Sequence, residues 1–463
     1  MKGNNPPLHP SREGIFETKA TGRPWLKKDI KSCFLSVPLL FVFAFAGIAT
    51  AAELTLAEGL RLATDNSRII KIAEQDEEIA VADTYIERSK MMPVVNAGAA
   101  GTALSSQPGA IFGPNTLPLS QKEFLSYSLS IQHTLFDFRG NASRYEASRT
   151  RVSAKKFDRL RVKNLVSVDF ALTYLDLLES QKMMAVAEKE VESLSAHVKD
   201  ARTLFEEGVV TKNDLLQAEV KLSDARQRLL TAANMKSVNV SRLNNLLVGP
   251  LEDDVRATDT NLESVSPLEN INFEKAWQTA LAQRPEIKIL DEAVKGLDFE
   301  ETSRKAEYYP RLFVKGGYDF TQNRYQVPDG NWSLTLGLGI NLFNGGATRA
   351  EIMKIEARRS GLLEQKNKIR DDIKLEVKKY LLDSVTARER MKVSIDAVRQ
   401  AEENLRINRS RYEEGVGTAT EVLDAVTLMT VAETNYHRSL YGAKKAEAAV
   451  LYAVGQDLLE VYK

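Results

Sequence analysis

The chain has 463 residues, and its 63 lysines and arginines balance 63 aspartates and glutamates, so no net charge draws it towards nucleic acid. Hydrophobic residues at 43% allow a real buried surface, and charged residues at 27% suit long solvated helices. One cysteine excludes a disulfide framework.

The first feature is an apolar run from Cys33 to Ala52, CFLSVPLLFVFAFAGIATAA, preceded by Lys27, Lys28 and Lys31 and closed by the small residues Ala49, Thr50 and Ala51. That basic, apolar, small-residue order predicts a secretory signal peptide cleaved near Ala51 or Ala52. An uncleaved anchor is the alternative, since about twenty residues can span a bilayer. Cys33 lies at the front of the run, where it is no lipoprotein cysteine, so the mature chain is expected to carry neither a thiol nor an acyl anchor. Beyond residue 52 no run of eighteen apolar residues follows.

A helix over about 67–92 comes next, then a weak Ala- and Gly-rich strand over about 94–104. Residues 105–123, SSQPGAIFGPNTLPLSQKE, are rich in Pro, Gly, Ser and Asn and read as a loop. A second strand, about 124–136, alternates strictly. Leu125, Tyr127, Leu129, Ile131, His133 and Leu135 share one face, and Ser126, Ser128, Ser130, Gln132 and Thr134 the other. About eleven residues of period two also match a tilted membrane-spanning strand. An ordinary soluble hairpin shows the same alternation, but small uncharged polar faces favour a lumen lining. Four such strands cannot close a barrel alone, and lipid does not tolerate open edges, so several copies must pool their strands.

From Gly140 to Gly208 no proline interrupts a helix-forming run. Such a helix is about 100 Å long, beyond the globular range, and implies coiled-coil or tubular packing. It turns at glycine into a helix over about 211–247. There Leu215, Ala218, Leu222, Ala225, Leu229 and Ala232 form the three-four stripe of a supercoiled pair.

The whole order then recurs. Leu56–Ile72 lies over Phe273–Ile289 at an offset of 217, held as far as Pro93 over Pro310. The offset is 207 from Leu135-Phe136-Asp137 over Leu342-Phe343-Asn344 onward. The first half is therefore ten residues longer between Pro93 and Leu135. The second copy is expected to run as a helix over about 285–308, strands over about 311–321 and 332–343, and a long hairpin over about 346–455. A turn at Pro328-Asp329-Gly330 joins the strands, and the seam is Val422, Ala425, Met429, Ala432, Tyr436 and Ser439. Three regions follow: 1–52 as N-terminal extension and signal peptide, 53–265 as the first structural repeat, and 266–463 as the second. In each repeat, two stacked shorter helices match one long helix in length, the geometry of a tube wall.

Both hairpin tips share one grammar. The first is Glu207-Gly208-Val209-Val210-Thr211-Lys212-Asn213-Asp214, continuing to Gln217. The second is Glu414-Gly415-Val416-Gly417-Thr418-Ala419-Thr420-Glu421, continuing to Asp424. Glycine supplies a left-handed helix end, and Thr211 with Asp214 and Thr418 with Glu421 form Thr-x-x-acid boxes that start the return helix.

Signal peptide, duplicated strand-helix order, long helices and these two tips resemble the TolC family of outer-membrane efflux proteins over about Leu54 to Asp457. The resemblance implies an α+β membrane protein: a homotrimer whose twelve-stranded β-barrel, four strands per subunit, continues as a long α-helical barrel of coiled-coil hairpins. It implies an outer-membrane channel subunit of a tripartite efflux or type I secretion system, extending into the periplasm. Such a duct is passive and is driven by an inner-membrane transporter of the RND or ABC class through a periplasmic adaptor (membrane fusion) protein. In that family acidic residues on the return helix narrow the entrance. The matching positions are Glu421 and Asp424, with Asp214 and Gln217 on the first tip. Three copies would gather the carboxylates into a cation-favouring ring, although helix capping alone also accounts for Glu421. Gly208, Val209, Thr211, Gly415, Val416 and Thr418 are the expected adaptor-docking positions, with turn chemistry as their plainer reading.

His9, His133, His197 and His437 are scattered, with no carboxylate at metal-ligand spacing. No nucleophile motif, phosphate loop or dinucleotide fingerprint appears, and Gly337-x-Gly339 falls inside a strand. The reading is therefore no enzyme, no cofactor and no metal. A periplasmic coiled-coil adaptor or scaffold is the alternative function, but it would show one hairpin rather than two and no barrel strands.

Overall fold

The computed structural model describes residues 52–258 and 272–462; the expected signal segment and Cys33 lie outside the described residues. Local sequence signals set the element boundaries. A short strand β1 (Ala52–Leu54) leads into helix α1 (Leu56–Asn66), whose first turn is capped by the Thr55 hydroxyl accepting from the Glu58 N–H. Ser67 is extended and caps helix α2 (Arg68–Ser89) by accepting from the Ile70 N–H.

Strand β2 (Val94–Ala103) follows, then β3 (Gly109–Phe112), β4 (Asn115–Pro118) and β5 (Glu123–Phe136). Helix α3 (Gly140–Glu206) turns back as α4 (Lys212–Leu247), and β6 (Val255–Ala257) pairs in parallel with β1. The second half repeats the plan with α5 (Phe273–Gln283), α6 (Pro285–Lys305), β7 (Arg311–Thr321), β8 (Gly330–Gly339), α7 (Ala347–Glu413) and α8 (Ala419–Ala453), then a terminal turn α9 (Leu458–Val461). Here Pro285 holds Arg284 extended and separates α5 from α6. Both long helices have 67 residues, so each runs for about 100 Å.

The main core lies at the midpoint of the long helices. Phe170, Tyr174, Leu177 and Leu178 of α3 pack with Leu60 of α1, Ala280 of α5, Val377 of α7, and Tyr441 and Leu451 of α8. The Tyr174 hydroxyl donates to the Leu54 carbonyl at 2.7 Å and accepts from the Thr258 N–H at 3.1 Å, which pins the β1–β6 pair to the helix. Arg284, 7% exposed, pairs with Glu286 at 3.0 Å and Glu376 at 3.1 Å and lies over the Tyr452 ring. That network joins α6, α7 and α8, and the two partners are what make a buried guanidinium tolerable.

Four strands form one antiparallel sheet in the order β2-β5-β7-β8. The register puts Val95 beside Ile131, Ile131 beside Gly316 and Gly316 beside Leu334. One face is therefore apolar throughout, through Leu125 to Ile131 on β5, Leu312 to Phe320 on β7 and Trp332 to Leu338 on β8. On β8 these apolar side chains are 68–81% exposed. The opposite face carries Ser128, Ser130, Asp319, Lys315, Ser333 and Thr335.

The structure corrects the last strand. It was expected over 332–343 but runs from Gly330 to Gly339, because Arg311 pairs with Gly339 and Pro310 ends its partner. The expected loop 105–123 also contains the β3–β4 hairpin. Gly337 has a packing explanation: a Cβ there would sit 2.3 Å from the Phe313 ring on the polar face. Substituting Gly337→Val should cost about 1–3 kcal/mol by overpacking. Adding Phe313→Ala in the same chain should recover most of it, read as the urea midpoint of detergent-solubilised protein.

Candidate functional site: the paired hairpin tips

At the end of the helices remote from the sheet, each long helix stops in the same motif. The N–H of Val209 donates to the Leu204 carbonyl at 2.8 Å and that of Gly208 to the Phe205 carbonyl at 3.0 Å. In the second tip Val416 donates to Arg411 at 2.9 Å and Gly415 to Tyr412 at 3.0 Å. Gly208 and Gly415 have φ of +76° and +73°, the left-handed geometry this ending requires. Val209 and Val416 are left largely exposed at the apex.

The return helices start on two complete capping boxes. Asp214 accepts from the Thr211 N–H at 3.0 Å, and its own N–H donates to the Thr211 hydroxyl at 3.3 Å. Glu421 accepts from the Thr418 N–H at 2.9 Å and faces Arg411 at 3.6 Å. The Thr418 backbone bond, with help from Arg411, holds the Glu421 carboxyl below the usual carboxylate range.

The four carboxylate and amide positions therefore divide. Asp214 and Glu421 are engaged in capping, and Glu421 is offset by a cation of its own tip. Asp424 and Gln217 are exposed and make no side-chain hydrogen bond or ion pair. Asp424 projects from a helix whose flanking Val422, Leu423, Ala425 and Val426 are all buried.

A small core locks the two tips together. Leu194 and Val198 of α3, Ala218 and Leu222 of α4, Tyr412 of α7, and Val422 and Leu423 of α8 form one cluster. Into it points His197, a residue that sequence reasoning set aside as isolated. Its ring lies 5.1 Å from that of Tyr412, and both the His197 Nε2 and the Tyr412 hydroxyl are buried without a hydrogen-bond partner. Burial lowers the His197 pKa, opposed by Asp200 and reinforced by Arg409. Burial also raises that of Tyr412, reinforced by Asp214 and Asp200. The signal for this placement was the stripe Leu194, His197, Val198, Ala201 along α3. Among the described residues no group of three or more His, Cys, Asp or Glu side chains could hold a metal ion, and no helix is long and apolar enough to cross a membrane.

Comparison with known proteins agrees with this architecture. The family model described as outer membrane efflux protein matches residues 59–249 and 276–456, one stretch in each half. The alkaline protease secretion protein AprF of Pseudomonas aeruginosa is 24% identical over 424 residues, covering 88% of this chain and 85% of the relative. The outer membrane efflux protein BepC of Brucella suis is 21% identical over 334 residues, covering 71% of each. Among solved structures, the Campylobacter jejuni CmeC outer membrane channel superposes with a TM-score of 0.76 at 17% identity, covering 86% of this chain and 85% of that one. A structure of CusC gives 0.75 at 18% identity, covering 87% and 92%.

The buried histidine makes the tip sensitive to pH. Burial holds its pKa below the ordinary value of about 6.5, so the packed tip binds the proton less well than an unpacked one. Stability of the tip is then complete above that value and falls as the pH drops below it. Hydrogen exchange of amides around Ala201 and Tyr412, corrected for intrinsic rates, should speed up between about pH 7.5 and pH 5.5. His197→Phe should flatten that dependence.

Proposed function

The chain belongs to the outer membrane efflux protein family, and from that premise we propose that three copies form a passive exit duct through the outer membrane and down into the periplasm. The observation that carries this reading is the sheet: four strands, both outer edges unpaired among the described residues, and one face apolar along its length and exposed on β2, β5 and β8. Lipid accepts no open strand edge, and membrane barrels contain at least eight strands. Three copies supply twelve.

The aromatic side chains support the same orientation. Tyr127, Tyr318, Phe320 and Trp332 gather towards the loop end of the sheet, with Tyr318 and Trp332 at 4.8 Å between centroids. Phe136, Phe138 and Tyr309 gather at the helix end, 4.7–4.8 Å apart in sequence of contact. From Tyr309 to Tyr318 is about 30 Å of strand, or roughly 23 Å of height at a tilt near 40°, close to the apolar band of such barrels.

Exposed apolar residues along the helices supply the remaining contacts between copies. Leu375, Leu382, Val385 and Val393 lie on α7, with Ile72 and Ile79 on α2 and Val220 and Leu230 on α4. These are the faces through which adjacent copies would close an α-helical barrel. At its tip Asp424 would form the charged ring of the constriction, with Gln217 beside it and the capped Glu421 and Asp214 as supports. Gly208, Val209, Thr211, Gly415, Val416 and Thr418 would meet a periplasmic adaptor, with Val209 and Val416 as the exposed apolar anchors. An inner-membrane transporter of the RND or ABC class would supply both energy and cargo selection. AprF is named for protease secretion and CusC for cation efflux, and a duct that leaves selection to its partner accommodates both kinds of cargo.

Single-channel conductance in a planar bilayer tests the proposal. Wild-type protein should give small, cation-selective steps, and Asp424→Ala should give larger steps with weaker selectivity. Conductance unchanged by the substitution would remove Asp424 from the constriction. No conductance from inserted protein would overturn the duct.

A further inference from the structure

We propose that the β3–β4 hairpins of neighbouring copies interlock head to tail into a collar at the end of the sheet away from the helices, with Ile111 of one copy seated against Phe112, Leu117 and Leu119 of the next. The inference rests on the three-copy reading above. The hairpin is the main content of the ten-residue excess of the first half, and the corresponding connection between β7 and β8 carries none. From Met91 to Gln121 the chain has no charged residue, unlike any exposed stretch of comparable length in the helices.

The hairpin is held in place at its base. The Leu119 N–H donates to the Pro108 carbonyl at 2.9 Å and the Leu104 N–H to the Lys122 carbonyl at 2.8 Å. Asn323, itself buried, donates to the Ser120 hydroxyl at 3.1 Å and accepts from the Gln121 N–H at 3.3 Å. Beyond that base the apolar side chains have no cover: Ile111 is 81% and Phe112 67% exposed, and Leu117 and Leu119 are more than half exposed. A bare two-stranded hairpin is marginally stable in water.

The register divides these side chains between two faces. Ile111 pairs with Thr116 and Ala110 with Leu117, so Ile111 and Pro118 lie on one face and Phe112, Leu117 and Leu119 on the other. Each face carries exposed apolar side chains beside one polar residue, Thr116 on the first and Asn115 on the second, and the two apolar sets differ. A bilayer surface would meet one face and leave the other in water. A closed ring of identical copies uses two different patches on each copy, one towards each neighbour. The hairpin also springs from β2, the sheet edge to which the next copy would add, so the collar would continue that interface.

The test is disulfide formation in the double variant Ile111→Cys/Leu117→Cys, oxidised in the assembled protein, with each single variant as control. Within one copy the two side chains point to opposite faces, which prevents an internal bridge. The expected result is conversion of most chains to covalent dimers and trimers that reductant dissolves, absent from both single variants. Ile111→Cys/Leu119→Cys provides a second pair should the first fail to assemble. Native mass spectrometry of the same samples separates the two readings. Trimers without covalent products would overturn the collar and leave the duct standing, as would equal products from the single variants. Protein that is not trimeric would overturn both.

Discussion

The two unpaired edges of the four-stranded sheet are the constraint on which the rest of this chain depends. β2 and β8 each present an outer edge of backbone N–H and C=O groups that no other strand pairs among the described residues, and a long edge of that kind is a template for another strand. The apolar face removes the usual remedies, since no helix covers it and no charged side chain interrupts it between Leu125 and Leu135 or between Trp332 and Leu342. On the proposed reading the β2 edge of one copy is satisfied by the β8 edge of the next, head to tail, so that a ring of copies closes with no edge left over. On that reading the long helices would follow the same symmetry, because α3 and α7 each follow directly on a strand of the sheet.

The tips show a second constraint, helix termination under full exposure. A helix end orphans four N–H or four C=O groups, and here two glycines and two Thr-acid boxes satisfy them without help from a neighbour. The same residues were candidates for the constriction, and the geometry separates the two roles. Asp214 and Glu421 have their charge directed at backbone N–H groups, where it also complements the helix dipole. Asp424, one turn further on, has no such partner, so on the proposed reading its charge is free to face a solute or the same residue of the other copies. On the proposed reading, capping and gating would occupy successive turns of one helix and would not compete for one carboxylate.

Much of the fold was legible because its signals are periodic. Eleven residues of strict alternation, a proline-free run from Gly140 to Gly208 and paired Gly and Thr-x-x-acid tips leave little room for other structures, and the elements appear within a few residues of where those signals point. The misses have specific causes. The end of β8 was read too late because Ile340 and Leu342 extend the alternation, while pairing stops where β7 meets Pro310. The β3–β4 hairpin hid in a segment whose Pro and Gly content reads as irregular loop, although Gly113-Pro114 is itself its turn. Of the tip, the caps could be read from spacing, but the His197–Tyr412 contact joins residues 215 positions apart, and neither flanking sequence marks the other.

The duplication explains why these exceptions matter. Two halves built on one plan place equivalent residues in near-equivalent surroundings, so a feature present in only one half is not required by the architecture. His197 has Asn404 at the matching position, Gly417 has Val210, and the hairpin has no counterpart at all. Gly417 can be explained by packing, since a Cβ there would lie 3.1 Å from the Arg411 backbone. The histidine has no such explanation: its Nε2 is buried without a partner, a cost of about 1–3 kcal/mol that an apolar side chain would avoid. On the proposed reading this unpaired nitrogen, with the unpaired Tyr412 hydroxyl beside it, lies in the contact between the two tips at the end where the duct would open, and it lowers the cost of parting them.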